Sequence, residues 1–172
     1  VNTSGSLDTT FGLNQQGADG TVWALGIDAN TGAILIAGSF TNVNTFPRRY
    51  IARLLPDGST DASFDPGAGP DGTILTLGVQ SDGRIIIGGE FTHVDGVTLN
   101  HIARLNADGT LDSTFDPAAG FDGDVYSVAL QLDGKVVVGG AFRSFNAYAR
   151  NGVTRLDALG TLDQSFLTGS GA

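Results

Sequence analysis

Apolar positions along the chain are grouped in short runs of β-branched residues, and turn-forming residues bound each run. The clearest run is DGRIIIGGEF at 82–91; it returns as DGKVVVGGAF at 133–142 and, more weakly, as TGAILIAGSF at 31–40. A glycine turn followed by such a run predicts a hairpin that leads into a buried strand. The phenylalanine that ends each run recurs at a spacing of 51 residues. The pattern therefore predicts three repeats.

The apolar pattern of each repeat predicts four short antiparallel strands, which we name A to D in chain order. Strand A is expected at 21–27, 73–79 and 124–130, strand B at 33–40, 84–91 and 135–142, strand C at 50–55, 101–106 and 152–157, and strand D at 59–64, 110–115 and 161–166. Four such strands in about 51 residues are typical of a β-propeller blade. The predicted fold is all-β: one repeat domain, 1–172, with blades at 21–64, 73–115 and 124–166.

Residues 6–11 match strand D, although no strand A, B or C precedes them. We predict an orphan N-terminal strand, which indicates either a piece of a longer array or an outer strand given to a partner's blade. In the second case a homodimer would close a six-bladed ring. A β-trefoil also has three four-stranded repeats and is the alternative fold, but the thirteenth strand fits it badly.

Composition narrows the class of protein. Hydrophobic residues make up 41% of the 172 residues, and 26 glycines point to many tight turns. The net charge is −9 with a single lysine, which argues against binding to nucleic acid, and no run of about 18 apolar residues predicts membrane insertion. Cysteine is absent, which excludes disulfides and thiolate chemistry. No signal peptide is visible, so we expect a processed or excised form.

Three motifs recur in order and resemble a known family. They are the strand B run, IARLNADG at 102–109 and LDSTFDP at 111–117. Together they resemble the delta-60 repeat, a bacterial β-propeller-like repeat of uncertain function. The resemblance covers nearly the whole chain and is closest in the second and third repeats. It implies propeller-type blades and a surface location, and it implies no particular chemistry.

Residues present in every repeat are most simply explained by the shared scaffold. An arginine stands in each strand C and an aspartate eight positions later, which predicts structural ion pairs because a desolvated guanidinium needs a partner. These residues are Arg53, Arg104 and Arg155 with Asp61, Asp112 and Asp163. A ring of arginines that binds an anion is the alternative. Trp23, with Leu75 and Tyr126 at the same repeat position, is expected to pack between blades; lining the edge of a channel is the alternative.

The B–C and D–A loops lie at one end of the blades and carry most of the variation between repeats. Aromatic side chains beside arginine, histidine and aspartate are typical of a sugar or peptide site. The candidate ligand-binding residues are Phe46, Arg48, Arg49, Tyr50, His93, Asp95, His101, Tyr148 and Arg150. Nearby Asp19, Asp71, Asp122 and Asp124 offer carboxylates to calcium, although none has the spacing of a calcium loop. No cofactor is predicted, and calcium at these carboxylates is the alternative.

Catalytic chemistry has little support in the sequence. The only two histidines, at 93 and 101, fall in one repeat, and no serine stands in a G-x-S-x-G elbow. Glu90 is the only glutamate and replaces Ser39 and Ala141 at its repeat position, which leaves it as the one open candidate. We predict no catalytic or metal-binding residue.

The predicted function is a non-enzymatic binding or adhesion module, extracellular or on the bacterial cell surface. Its partner would be a glycan or a protein on a cell surface. A lectin-like glycan-binding domain is the first alternative, a structural spacer the second, and a hydrolase or lyase on a propeller the third.

Overall fold

The computed structural model describes residues 3–13 and 15–166, and every regular element in that part of the chain is a β-strand. The strands are β1 Val22–Ile27, β2 Ile34–Gly38, β3 Asn42–Val43, β4 Phe46–Pro47, β5 Ile51–Leu54, β6 Ile74–Val79, β7 Ile85–Gly89, β8 His93–Val94, β9 Val97–Thr98, β10 Ile102–Leu105, β11 Val125–Leu130, β12 Val136–Gly140, β13 Ser144–Phe145, β14 Tyr148–Ala149 and β15 Val153–Leu156. Over the same residues, no helix is long and apolar enough to cross a membrane.

Each repeat forms one antiparallel sheet of three strands. The sheets have the orders β1-β2-β5, β6-β7-β10 and β11-β12-β15, so they consist of the predicted strands A, B and C, with B in the middle. The β-branched runs occupy the middle strands, and in the second repeat both faces of this strand are covered. In β7, for example, Ile85, Ile86 and Ile87 are all at most 1% exposed.

The predicted strand D is wrong, because its residues form a single bridge and then turn. In the second repeat Leu111 bridges to Leu105, after which the Asp112 carboxylate accepts hydrogen bonds from the backbone N and the hydroxyl of Thr114, at 2.9 and 2.6 Å. This local side-chain bonding competes with an extended ladder. The blades therefore have three-stranded sheets, and we call the turn Asp-x-Ser/Thr-Phe the D element.

The predicted orphan strand at 6–11 is wrong for the same reason. Asp8 accepts hydrogen bonds from the backbone N and the hydroxyl of Thr10, at 2.9 and 2.6 Å, as in the three later D elements. No strand lies within 6–11. The segment is a fourth D element that precedes the first sheet.

A second difference lies between strands B and C, where three small hairpins stand in place of irregular loops. They pair β3 with β4, β8 with β9 and β13 with β14. At each tip a polar residue has positive φ: 56° at Asn44, 51° at Asp95 and 48° at Asn146. Asn and Asp tolerate this left-handed conformation, which tight hairpin turns require.

The three sheets stack face to face, and the core lies between them. Leu35 and Ile51 of the first repeat pack with Ile85 and Ile87 of the second. Ile86, on the opposite face of β7, packs with the third repeat. Successive side chains of one strand thus serve two interfaces, as strand alternation requires. A third, smaller cluster lies on the other face of the first repeat and leaves part of that face exposed.

Trp23 does not pack between blades, contrary to expectation. The pairing of β1 with β2 shifts register between Val22 and Ala24, and the same shift occurs in β6 and β11. Trp23 and its counterpart Tyr126 lie at these bulges and are 58% and 55% exposed. A bulge redirects its side chain out of the regular alternation, which accounts for the exposure.

Candidate binding face

The hairpins and the D–A connectors 65–72 and 116–123 lie together at one end of the sheets, which we call the long-loop face. The tip of each hairpin fixes the connector next to it. Asn44 and Gly17 exchange two hydrogen bonds, of 2.7 and 2.9 Å, and Asn146 and Gly120 exchange two of 3.0 Å. Asp95 does the same with Ala68 and Gly69 of the middle connector. The hairpins are therefore held rigidly.

An aspartate at the end of each connector holds the base of a hairpin. Asp71 accepts hydrogen bonds from the backbone N of Thr92 and of His93, at 2.7 and 2.9 Å, and lies 3.0 Å from Nδ1 of His93. Burial raises the pKa of this carboxyl, but the hydrogen bonds outweigh burial and hold the pKa well below its usual range. Asp19 and Asp122 bind the first and third hairpins in the same way.

These contacts change the view of the acidic residues proposed for calcium. Asp19, Asp71 and Asp122 are engaged by hairpin donors, and Asp124 lies 3.5 Å from Nδ1 of His101. Within the described part of the chain, no three His, Cys, Asp or Glu residues come together as metal ligands would. The repetition of Asp19, Asp71 and Asp122 in every unit thus has a structural cause.

Four of the nine candidate ligand residues belong to the scaffold. His93 is bound to Asp71, and Asp95 holds the connector, as described above. His101 is largely buried, with Nδ1 3.0 Å from the carbonyl oxygen of Gly89. Tyr50 is half-buried and packs against the first core cluster. The other five candidates, Phe46, Arg48, Arg49, Tyr148 and Arg150, lie on the hairpins or just after them.

The cations of the chain divide sharply by position. Five have carboxylate partners within 4 Å and lie on the sheets or in the short turns at their other end; they are Arg53, Arg84, Arg104, Lys135 and Arg155. The other four have no ion pair within residues 3–13 and 15–166. They are Arg48, Arg49, Arg143 and Arg150, and all belong to the hairpin segments of the long-loop face.

Arg48 and Arg49 border a cleft of about 340 Å³ between the first hairpin and residues 65–68 of the connector. Arg48 donates from Nη1 to the Pro47 carbonyl at 2.9 Å, and its guanidinium lies 5.9 Å from the centre of the Phe46 ring. Its Nε is buried and has no hydrogen-bond partner. The guanidinium is thus held in place with donor capacity remaining.

The third repeat reproduces this arrangement. Arg150 occupies the repeat position of Arg48, donates from Nη1 to the Ala149 carbonyl at 2.7 Å, and has a buried Nε without a partner. In the second repeat the position is taken by Leu99, which is buried at 7% exposure. The first and third hairpins therefore present an arginine where the second presents an apolar contact.

The repeated arginines of strand C have a different environment. Arg104 donates from Nε to Asp112 at 2.7 Å and from Nη2 to Thr114 at 3.0 Å, and its guanidinium lies 5.0 Å from the centre of the Phe115 ring. Arg53 and Arg155 contact Asp61 and Asp163 at 2.8 and 2.9 Å. Each guanidinium is used by its own D element, so these arginines do not form a ring open to an anion.

Glu90 has no neighbour that would activate it. Its side chain is exposed and makes no hydrogen bond or ion pair with another described residue. The backbone N–H of Glu90 donates a hydrogen bond to the carbonyl of Thr73, at 2.9 Å, and this bond does not involve the carboxylate. The position supplies a solvated carboxylate on the rim of the sheet.

Comparison with known families follows the same repeat boundaries. A family model described as "Domain of unknown function (DUF5122) beta-propeller" matches residues 30–64, 80–115 and 131–166, which together exceed half of the chain. The chain belongs to this family. The resemblance to the delta-60 repeat is thereby confirmed, and so is the prediction of an all-β chain of the β-propeller type. No curated protein sequence matches the chain significantly.

The matched segments of this beta-propeller family run from the A–B turn to the D element. They include strands B and C and the arginine–aspartate pairs. The arginines that have no carboxylate partner in the described residues also lie within the matched segments, on hairpins whose sequences differ between repeats. They are Arg48, Arg49, Arg143 and Arg150. The shared part of the repeat thus builds the blade, whereas the sequence of the hairpin differs from one blade to the next.

Proposed function

We propose that the chain is a non-enzymatic recognition module that mediates adhesion at a cell surface and binds an acidic partner through its long-loop face. One observation carries the proposal. In a chain of net charge −9, all four arginines without a carboxylate partner in the described residues lie on this face. Arginines of the sheets and short turns are neutralised by aspartates, so the long-loop face alone offers free guanidinium donors.

The chemistry of these arginines favours carboxylate or sulfate groups. A guanidinium presents a planar fork of donors that matches such anions in bidentate geometry. Because Arg48 is already held by Pro47 and Phe46, binding would fix less side-chain freedom than at a mobile surface arginine.

An acidic glycan is a more specific candidate for the ligand. Phe46 and Tyr148, beside the arginines, are 38% and 54% exposed, and aromatic rings in such positions stack on sugar faces. This observation supports the lectin-like alternative. A cell-surface location is supported by the composition and by the resemblance to the delta-60 repeat.

The proposal is tested by binding to polygalacturonate, which carries carboxylates, and to dextran sulfate, with neutral dextran as the comparison. We expect binding to an acidic polymer that weakens as salt is raised, because exposed charge pairs are screened. Replacing Arg48 or Arg49 with alanine is expected to weaken binding by about fivefold to tenfold, corresponding to roughly 1–1.5 kcal/mol, the upper part of the net range for one hydrogen bond exchanged with water.

Arg84→Ala is the matched control, because it removes one positive charge from the opposite end of the sheets. Its binding should equal that of the unchanged chain. Equal loss in Arg84→Ala and Arg49→Ala would show a non-specific charge effect and contradict the proposed face. Absence of binding to every acidic polymer would favour the structural spacer.

A further inference from the structure

Neighbouring repeats are joined through the D elements. The residue after the phenylalanine of each D element donates its backbone N–H to the C–D turn of the next repeat. Asp65 donates to Asp108, and Asp116 donates to Leu159, both at 2.8 Å. Gly12, after the N-terminal D element, donates to Asp57 at 2.8 Å. Residues 6–13, which we call the cap, therefore sit on the first repeat as a preceding repeat's D element would.

The cap is held less firmly than the other D elements. Asp61, Asp112 and Asp163 each bind an arginine, but no arginine of the described residues reaches Asp8. The cap's phenylalanine, Phe11, is 46% exposed, whereas Phe64 is fully buried. The cap thus lacks both the ion pair and the guanidinium–ring contact that fix its counterparts.

Next to the cap, one face of the first sheet is uncovered. Val22, Leu25 and Ile27 are 38%, 69% and 68% exposed, whereas Ile74 and Val125, at the repeat position of Val22, are fully buried. An open groove of about 500 Å³ runs along this face. We call it the head face; it consists of Val22, Leu25, Ile27, Ile36 and Leu54.

The second and third repeats show what covers this face. Leu77 and Val79 of the second repeat, at the repeat positions of Leu25 and Ile27, pack against Gly26 of the first sheet. Leu130 of the third repeat, at the position of Ile27, packs against Gly78 of the second sheet. The head face therefore corresponds to the faces by which the second and third repeats contact the repeat before them. The third repeat has Ala129 where the first two have Gly26 and Gly78, so an apolar side chain of the head face must adjust its rotamer to pack there.

The third repeat carries such a far face, and it is incompletely covered. Its residues are Val137, Val153 and Arg155, which we call the tail face. Val137 and Val153 are partly exposed, whereas Ile86 and Ile102 at the same repeat positions are fully buried. Arg104 reaches forward to the carbonyl of Ala158 at 2.8 Å, but Arg155 has no following repeat in the described chain and instead reaches Gln131 at 3.3 Å.

We propose that the head face is a docking surface for the tail face of a second copy of this chain. The incoming third repeat already holds its own D element, through Arg155–Asp163 and the bridge of Leu156 to Leu162. It needs no outer element from the partner, so this arrangement involves no donated strand. The incoming D element takes the place of the cap, which leaves the first repeat.

Two copies related by a two-fold axis would make this contact twice and close a ring of six repeats. The cap limits this association, because it must be displaced first. The proposal concerns the sheet faces and the cap, and it does not depend on ligand binding at the long-loop face.

Sedimentation velocity over a concentration series tests the proposal with two variants of the full chain. Gly12→Pro removes the N–H donated to Asp57 and is incompatible with the φ of 65° at that position; it should loosen the cap and strengthen dimerisation by about tenfold, the equivalent of one hydrogen bond and its strain. Leu25→Arg places a charge on the head face and should leave only monomer, also when combined with Gly12→Pro.

Leu25 is 69% exposed in the single chain, so its replacement should leave the fold intact, which thermal unfolding of the monomer checks. Leu132→Arg is the matched control: it adds the same charge at a fully exposed position on a short turn and should not change dimerisation. If Gly12→Pro dimerises no more than the unchanged chain, or Leu25→Arg dimerises as well as Leu132→Arg, the proposal is wrong.

Discussion

Replacing Arg104 with alanine is expected to lower the free energy of unfolding by roughly 3–5 kcal/mol, the cost of removing one partner of a buried ion pair. The Arg104 side chain is 2% exposed and that of Asp112 is 6% exposed. Without the guanidinium, the only ion pair left to Asp112 among the described residues would be the longer contact to Arg84, at 3.3 Å. Urea denaturation of the two proteins measures the difference.

The other two repeats provide internal controls. The side chains of Arg53 and Arg155 are 16% and 20% exposed. Water can therefore partly hydrate the aspartate that is left when either arginine is removed. Arg53→Ala and Arg155→Ala should each lower the free energy of unfolding by less than Arg104→Ala does. The decrease should be smallest for Arg155→Ala, because its Nη1 contacts the Gln131 side chain at 3.3 Å and no backbone carbonyl among the described residues. Equal costs at all three positions would show that burial between repeats does not set the strength of the pair.

The same pair gives the Arg104→Ala prediction a pH dependence. Burial raises the pKa of Asp112, but hydrogen bonds from Thr114 and the contact with Arg104 outweigh burial and lower the pKa to about 2. A carboxyl with a lowered pKa stabilises the fold above its unfolded value near 4 and loses that contribution as the pH falls towards 2. The stability difference between the unchanged chain and Arg104→Ala should therefore narrow below pH 4.

Replacing Gly140 with alanine is expected to destabilise the chain by about 3 kcal/mol or more, the range of severe overpacking. A Cβ at this position would meet the carbonyl oxygen of Asp124 well inside van der Waals distance, and Val125 Cα at 3.0 Å. The obstacle is backbone, which cannot rotate away. It arises where the bulge between Val125 and Ser127 brings the start of β11 over the end of β12.

Gly139 is the matched control, one residue earlier in the same strand. The nearest atom to a Cβ there is 3.8 Å away, and alanine in a strand also loses less conformational freedom on folding than glycine. The free energy of unfolding of Gly139→Ala should therefore lie within about 1 kcal/mol of that of the unchanged chain. Thermal unfolding of both variants decides the matter, and similar melting temperatures would contradict the packing described for the bulge.

The sequence predicted strands A, B and C well because each is a β-branched run between glycine turns. It failed at the D elements, where the alternation in LDSTF is typical of a strand. Hydrogen bonds from Thr114 to the Asp112 side chain turn the backbone there instead. The hairpins were missed because strands of two residues, such as β8 and β9, are too short to show periodicity.

At the candidate site, the rule that repeated residues build the scaffold holds for the acidic residues as well as for the arginines of strand C. Asn44, Asp95 and Asn146 share one repeat position, and Asp19, Asp71 and Asp122 share another. The same rule would have assigned both sets to the scaffold. Arg143 was overlooked, because which arginines lack a carboxylate depends on distances between segments that spacing does not show.

Chemical-shift mapping by NMR tests most directly the claim that the long-loop face is the recognition surface. The backbone amides of the chain would be followed while an oligogalacturonate is added. The account predicts that the largest shifts fall on the first and third hairpins, around Arg48, Arg49 and Arg150. Largest shifts at the opposite end of the sheets, in the short turns around Gly58, Gly83 and Gly134, would contradict it.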